Sequence, residues 1–331
     1  MESNTQAGMS NLQITFRDNL SQPDREAAQR SVIALVTHTA EEAAKVRTAA
    51  AEQAKLVAAL NAPFKKLIEE DPTAVEALDA LRTRKQSMYM RLANELRQES
   101  PLTERTNLFI PHTLNSIAIV QPLDFGAPQP EGARAIEVRV PPHYDFFWSW
   151  HDPAGGPPFG QVIGGIESVT GFIGLEARSG DIEGGADGWV FATAGYGLNL
   201  TTDRPVTVVG RSFKRMEFEY SAKAVGISNA TCEGGMEFGA RDEDGSFLNF
   251  NRQTEFHKRV SGSFPEFSEE AFDHQGPYAV SEPSELAFTM QPGRRCTFLV
   301  GVWVSTDRGG AGWRAARSLI KADVLAITIQ R

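Results

Sequence analysis

Two carboxylates, Glu217 and Glu219, sit two residues apart in the run Arg215-Met216-Glu217-Phe218-Glu219-Tyr220. On a strand such residues share a face with Cα atoms about 6.5 to 7 Å apart, a spacing compatible with the acid and base of a glycoside hydrolase. Any strand with one wet face has the same pattern, because Met216, Phe218 and Tyr220 fill the other face. A second constellation is aromatic. In the run from His143 to Asp152, alternation places Tyr144, Phe146, Trp148 and Trp150 on one face of a strand. Such a face either fills a core or, exposed with Phe159 of the following loop, offers Tyr144, Trp148 and Trp150 as a stacking platform for a glycan or a protein. His143, Asp145 and His151 share the opposite face. His143 and Asp145 can begin a metal site, but the third ligand lies six residues further on, about 20 Å along an ideal strand.

Acidic loops supply the other oxygen-rich stretches. Asp181, Glu183 and Asp187 in DIEGGAD can provide part of a calcium shell, although the spacing is not that of an EF-hand loop. The acidic run Asp242-Glu243-Asp244 is better explained as the turn of a hairpin, since Asp244-Gly245 suits a two-residue turn with positive φ. Ser318-Leu-Ile-Lys321 fits S-x-x-K without its companion motifs, and Gly195-Tyr196-Gly197 has Leu200 where a dinucleotide loop needs a third glycine. Nothing in the chain calls for a cofactor. Cys232 and Cys296 are too few and too far apart for a zinc site or a disulfide framework, and read as buried thiols.

The elements that must position these groups fall into two regimes. Only one of the 29 glycines, Gly8, precedes residue 101, and all five tryptophans follow it. Residues 24–60 carry a four-three spacing of Val32, Val36, Thr39, Ala43, Val46, Ala50, Gln53, Val57 and Leu60, which is the seam of a coiled coil. The first helix is expected to begin near Asp24, capped by Ser21 or Asp24 itself, and to stop at Ala62-Pro63. A second helix with Val75, Leu78, Leu81, Met88, Leu92 and Leu96 at helical spacing completes a helical hairpin. Beyond the linker at 100–105, short strand-like runs follow one another without interleaved helices. The fold class expected is therefore α+β, segregated: a flexible arm (1–22), a helical hairpin or coiled coil (23–100), and an antiparallel, jelly-roll-like β-sandwich (105–331).

Charge narrows the function. The chain carries a formal charge of −9, with 13 Lys/Arg against 14 Asp/Glu in residues 1–100 and 20 against 28 afterwards. An acidic β domain argues against nucleic acid, whose binding is driven by cations. No run is apolar enough for a membrane span and the N-terminus lacks a Sec signal, so cytoplasmic synthesis is expected, with release by a non-classical route left open. The absence of a complete catalytic constellation points to a non-enzymatic binding or structural protein, a recognition head on an element that self-associates or joins a larger assembly through residues 24–100. The alternatives are a carbohydrate-active enzyme using Glu217 and Glu219, and a membrane-active toxin.

Overall fold

The structure is a computed structural model that describes residues 11–69, 136–151, 159–180, 189–261, 268–275 and 284–331, with Thr73, Glu76, Ala80 and Arg84 as isolated helical positions. These residues form one long helix, α1 (Gln22–Glu69), and eleven strands. The strands are β1 (Gln13–Phe16), β2 (Ile136–Arg139), β3 (Phe146–His151), β4 (Phe159–Gly164), β5 (Phe172–Gly180) and β6 (Val190–Thr201). They continue with β7 (Val206–Asp242), β8 (Phe247–Ser261), β9 (Ser268–Gln275), β10 (Ser284–Met290) and β11 (Arg295–Gln330).

Two strands organise everything else. β7 has 37 residues and β11 has 36, and they pair antiparallel from Cys296↔Asp242 to Gln330↔Val209. The outer edge of β11 is taken in turn by β6, β5 and β2, and that of β7 by β10, β9 and β8. A flat ribbon of this length would extend about 120 Å. Instead it folds across its middle, where Gly312 stands opposite Gly226, and Gly310 and Gly309 pair with Ser228 and Asn229, so that glycine thins the ribbon at the bend. The two halves then lie face to face. Ser318 Oγ donates to Ser305 O across the fold (2.8 Å), the Cys232 thiol reaches both Ser221 O and Arg317 O (3.2 Å each), and Phe218 stacks on Phe256 with ring centroids 4.8 Å apart. One layer holds β1, β3, β6, β8 and the adjoining halves of β7 and β11; the other holds β2, β4, β5, β9, β10 and the remaining halves.

Alternation sets the faces. Val300, Val302, Val304, Met236, Phe238 and Ala240 of the first layer meet Ile320, Ala322, Val324, Met216 and Phe218 of the second in the main core. The alternate positions of the first layer, Phe146, Trp148, Trp150, Phe191, Leu299 and Trp303, form a second core with Ala28, Val32, Leu35 and Val36 of α1. The first layer is thus covered on both sides.

This corrects the expected segregated α+β class. The protein is mostly antiparallel sheet in a sandwich-like arrangement, with a single described helix laid on it. Val32, Val36 and Thr39, read as a coiled-coil seam, are buried against the sheet. The seam is an apolar stripe, and a flat sheet face covers such a stripe as well as another helix does. The expected stop at Pro63 is also overturned, since α1 runs through it to Glu69; a single proline deletes one donor but leaves the flanking turns to carry the helix. The start is as expected within two residues, with Ser21 Oγ accepting the Asp24 N–H at 3.4 Å. The second helix of the expected hairpin lies outside the described residues apart from the four isolated positions. Among the described residues no helix is long and apolar enough to cross a membrane.

Candidate functional site

The aromatic stretch is core. Tyr144, Trp148 and Trp150 have no exposed surface. Tyr144 donates its hydroxyl to Val324 O (2.7 Å) and lies 4.7 Å from the Tyr196 ring, and burial pushes both phenols up. The two indoles lie beneath α1, and glycines make room for Trp148 and Phe146: a Cβ on Gly301 would sit 2.9 Å from Trp148 Cζ2, and one on Gly197 would sit 2.0 Å from Phe146 Cζ. Phe159 opens β4 opposite Arg178. The Tyr144, Trp148 and Trp150 rings are placed to hold the layers together and not to meet a ligand from solvent.

The polar residues of the same stretch are drawn apart. His143 Nδ1 accepts from Arg17 (2.6 Å), Asp145 Oδ2 accepts the Asn199 N–H (2.7 Å), and His151 Nδ1 lies 3.2 Å from Asn11 Nδ2. Burial raises the Asp145 carboxyl above its ordinary range. Asp181, Glu183 and Asp187 lie outside the described residues, and no group of three His, Cys, Asp or Glu side chains able to hold a metal gathers among the described ones. The Asp242–Asp244 turn answers to arginines. Arg294 Nη1 lies 2.7 Å from Asp242, and Arg30 Nε donates to Glu243 O (2.7 Å). Gly245, with φ +85°, closes the turn by donating to Asp242 O (2.8 Å), as a three-residue hairpin loop requires.

Glu217 and Glu219 do share a face, the outer face of the second layer. Lys321 Nζ lies 3.3 Å from Glu217, Arg317 Nη1 is 2.8 Å from Glu219, and Arg317 Nε bonds Glu176. Arg178 joins Glu176 at 2.5 Å, and Arg215 grips Asp323 through Nη2 and Nε (2.6 and 3.1 Å). Apart from Arg178, every member of this ladder is 9% exposed or less. Each carboxylate faces a cation on a neighbouring strand, which is the arrangement that fixes strand register and not that of a paired acid and base. Ser318 and Lys321 of the S-x-x-K run point to opposite faces, since three residues along a strand reverse the side chain.

The densest polar cluster is one that local pattern does not announce, at the helix–sheet junction. Arg252 on β8 donates to Glu237 Oε2 (2.9 Å), to Thr39 Oγ1 of α1 (3.1 Å) and to Glu42 (3.4 Å). Its guanidinium lies 5.0 Å from the Phe191 ring centre and 5.5 Å from those of Phe250 and Trp303. Glu237, 2% exposed, also accepts from Thr193 Oγ1. One cation therefore ties the sheet to the seam of the helix, and this is why a threonine stands in that seam. Two rows away Arg241 lies 3.4 Å above the Phe247 ring and donates to Gly245 O (2.6 Å); burial lowers its pKa to about 10.

From its first turn, where Asp24 meets Arg295 (3.0 Å) and Asn199, α1 crosses the first layer obliquely and reaches Arg252 on the edge strand β8 at Thr39 and Glu42. It passes over β6, β11 and β7 on the way. The remaining 27 residues of the helix, numbers 43–69, continue it for about 40 Å.

No known family matches the chain, and no curated protein sequence is similar to it. Solved structures with a partial likeness include isomalto-dextranase of Arthrobacter globiformis T6 complexed with panose, at 10% identity over 58% of this chain and 36% of that one, with a TM-score of 0.12. Infectious bursal disease virus of the Gx strain matches at 10% identity over 54% and 40% with a TM-score of 0.16, and its VP2 subviral particle at 8% over 62% and 62% with 0.12. The chain spans between about a third and two thirds of the length of these structures, and scores this low carry no argument about fold or activity.

Proposed function

We propose that the protein is a non-enzymatic structural subunit that self-associates through the part of α1 lying beyond β8. The observation that supports this reading is the continuation of the stripe. Val32, Val36 and Thr39 seat the helix on its own sheet, and the same four-three spacing then runs through Ala43, Val46, Ala50, Gln53, Val57 and Leu60 after the helix has reached the edge strand. The intervening positions Glu41, Glu42, Ala44, Lys45, Thr48, Glu52 and Ala59 are exposed. An apolar stripe with a charged back is a surface for another helix, and a second copy supplies the matching one. The ladder around Glu217 and Glu219 serves the second layer in the same reading, as internal register.

Light scattering coupled to size exclusion tests it. The full chain is expected to run as a multiple of the monomer, and Val46→Glu with Val57→Glu to weaken association by roughly a hundredfold, from about 1.5 kcal/mol or more per buried valine. The circular dichroism of the sheet should stay unchanged. A full chain whose mass is unaffected by this double substitution would remove the helix from the assembly.

A further inference from the structure

The described surface exposes five large apolar side chains, Ile136, Val138, Val140, Val169 and Phe247, and four of them gather at one place. Ile136, Val138 and Val140 project from the same side of β2 and its end, at 41%, 37% and 44% exposure. Val169 stands 72% exposed in the β4–β5 turn, whose Gly171 lies against Pro141, the residue after Val140. Among the described strands β2 has one neighbour, β11, in the register Ile327↔Arg139 to Gln330↔Ile136. Its other edge is the kind that proteins ordinarily blunt with charge, proline or a cover, because a bare strand edge recruits another strand. Proline does close its end, with a cis peptide bond between Pro141 and Pro142. The three exposed side chains on this side, Ile136, Val138 and Val140, are all apolar.

We propose that two copies of this chain pair edge to edge through β2, antiparallel about a two-fold axis at Val138. The strand is self-complementary in that register. Ile136 falls opposite the partner's Val140, Val138 opposite the partner's Val138, and Glu137 opposite the partner's Arg139, twice over. One face of the paired strands is then wholly apolar and the other alternates opposite charges, the two arrangements that stabilise cross-strand neighbours. Within one chain Glu137 already holds Arg139 (2.7 Å) and Arg331 (3.2 Å), and the Glu137 and Arg139 side chains keep 32% and 40% exposure, so both remain within reach of a second strand. Pairing of this kind makes one continuous sheet from two second layers. Its contact is shorter than that of a standard interface, so association is read at high protein concentration.

Charge exchange tests it on the full chain carrying Val46→Glu and Val57→Glu, which removes helix contacts without touching β2. This parent is expected to be dimeric by sedimentation equilibrium. Glu137→Arg alone and Arg139→Glu alone place like charges across the axis, and each is expected to be monomeric. A one-to-one mixture restores both opposite-charge pairs and is expected to return to dimer, with native mass spectrometry showing the mixed species in excess of either homodimer. A foreign strand as the natural occupant would not distinguish the mixture from its components. A monomeric parent at the highest concentration reached, single variants that keep the parent's mass, or a mixture that stays monomeric would each overturn the pairing. If the helix reading fails instead, the parent behaves as the unsubstituted chain and the β2 comparison is still read in full.

Discussion

Arg252 shows how much one side chain decides here. Glu237 is buried with this guanidinium as its cation, so truncating the arginine strands a carboxylate between helix and sheet. Arg252→Ala is expected to cost about 3 kcal/mol or more in urea unfolding, the usual penalty for breaking a buried pair from one side. Arg252→Ala together with Glu237→Gln should be less unstable than Arg252→Ala alone, and equal losses would show that the carboxylate is not what suffers. The cysteines behave in the opposite sense. Burial pushes Cys232 and Cys296 up to about 12, so at pH 8 on the order of one thiol in ten thousand is the reactive thiolate. Neither is expected to react with Ellman's reagent in the native protein, and both should in guanidinium; fast native labelling would contradict their burial. Asp145 adds a pH dependence of unusual sign. Its folded pKa is raised, so the folded state holds the proton more tightly, and the contribution is fully present below the ordinary carboxylate pKa and lost as pH rises through the raised value. Asp145→Asn keeps an acceptor for the Asn199 N–H and is expected to be more stable than the parent at pH 7, with that gain vanishing in thermal melts at pH 3.

At the scale of elements, α1 is two helices in one. Its first 21 residues are held by tertiary contact, through Asp24–Arg295, Arg30–Glu243, the apolar patch under Val32 and Val36, and the Arg252 cluster. The patch depends on Trp148 and Phe146 packing closely against Gly301 and Gly197. Trp148→Ala opens a cavity beneath the helix and is expected to cost about 3 to 5 kcal/mol. Amide exchange then separates the parts: residues 22–42 should lose protection by more than the strands of the main core. Uniform loss over the whole chain would show that helix docking and sandwich unfold as one unit. Gly197→Ala acts on the same patch from below, because its Cβ overlaps the Phe146 ring.

At the scale of the molecule, the folded ribbon of β7 and β11 makes both layers from one pair of strands, so neither layer can form without the other. Two places are proposed for contact with another copy: the run of α1 after Glu42 and the edge at β2. Two different two-fold contacts on one chain build beyond the dimer, into a closed dihedral assembly where the axes intersect and into an open chain where they do not. The unsubstituted chain is therefore expected to form species larger than a dimer, while loss of either contact alone caps growth at two. Negative-stain images of the chain and of the two variants check this directly.

Local pattern is enough to locate many strands, the hairpin at Asp244-Gly245 (though its loop has three residues and not two), the Ser21 cap and the stripe from Val32 to Thr39, because each rests on neighbours within a few residues. It breaks β7 into short runs such as the one holding Met216, Phe218 and Tyr220, since mid-strand glycines and serines look like turns until a partner strand pairs through them. It placed Tyr144 with Phe146, Trp148 and Trp150 on one face, whereas Tyr144 precedes the strand and joins the main core. It paired Glu217 with Glu219 correctly on a face, and had no means of seeing Lys321 or Arg317, about a hundred residues away in sequence. Arg252 and Glu237 were invisible for the same reason, as ordinary polar positions of alternating strands. A period identifies which side chains share a face, because that is fixed by the backbone of one element. What covers the face, whether helix, second layer, solvent or another copy, depends on contacts between distant segments, and only the tertiary structure decides it.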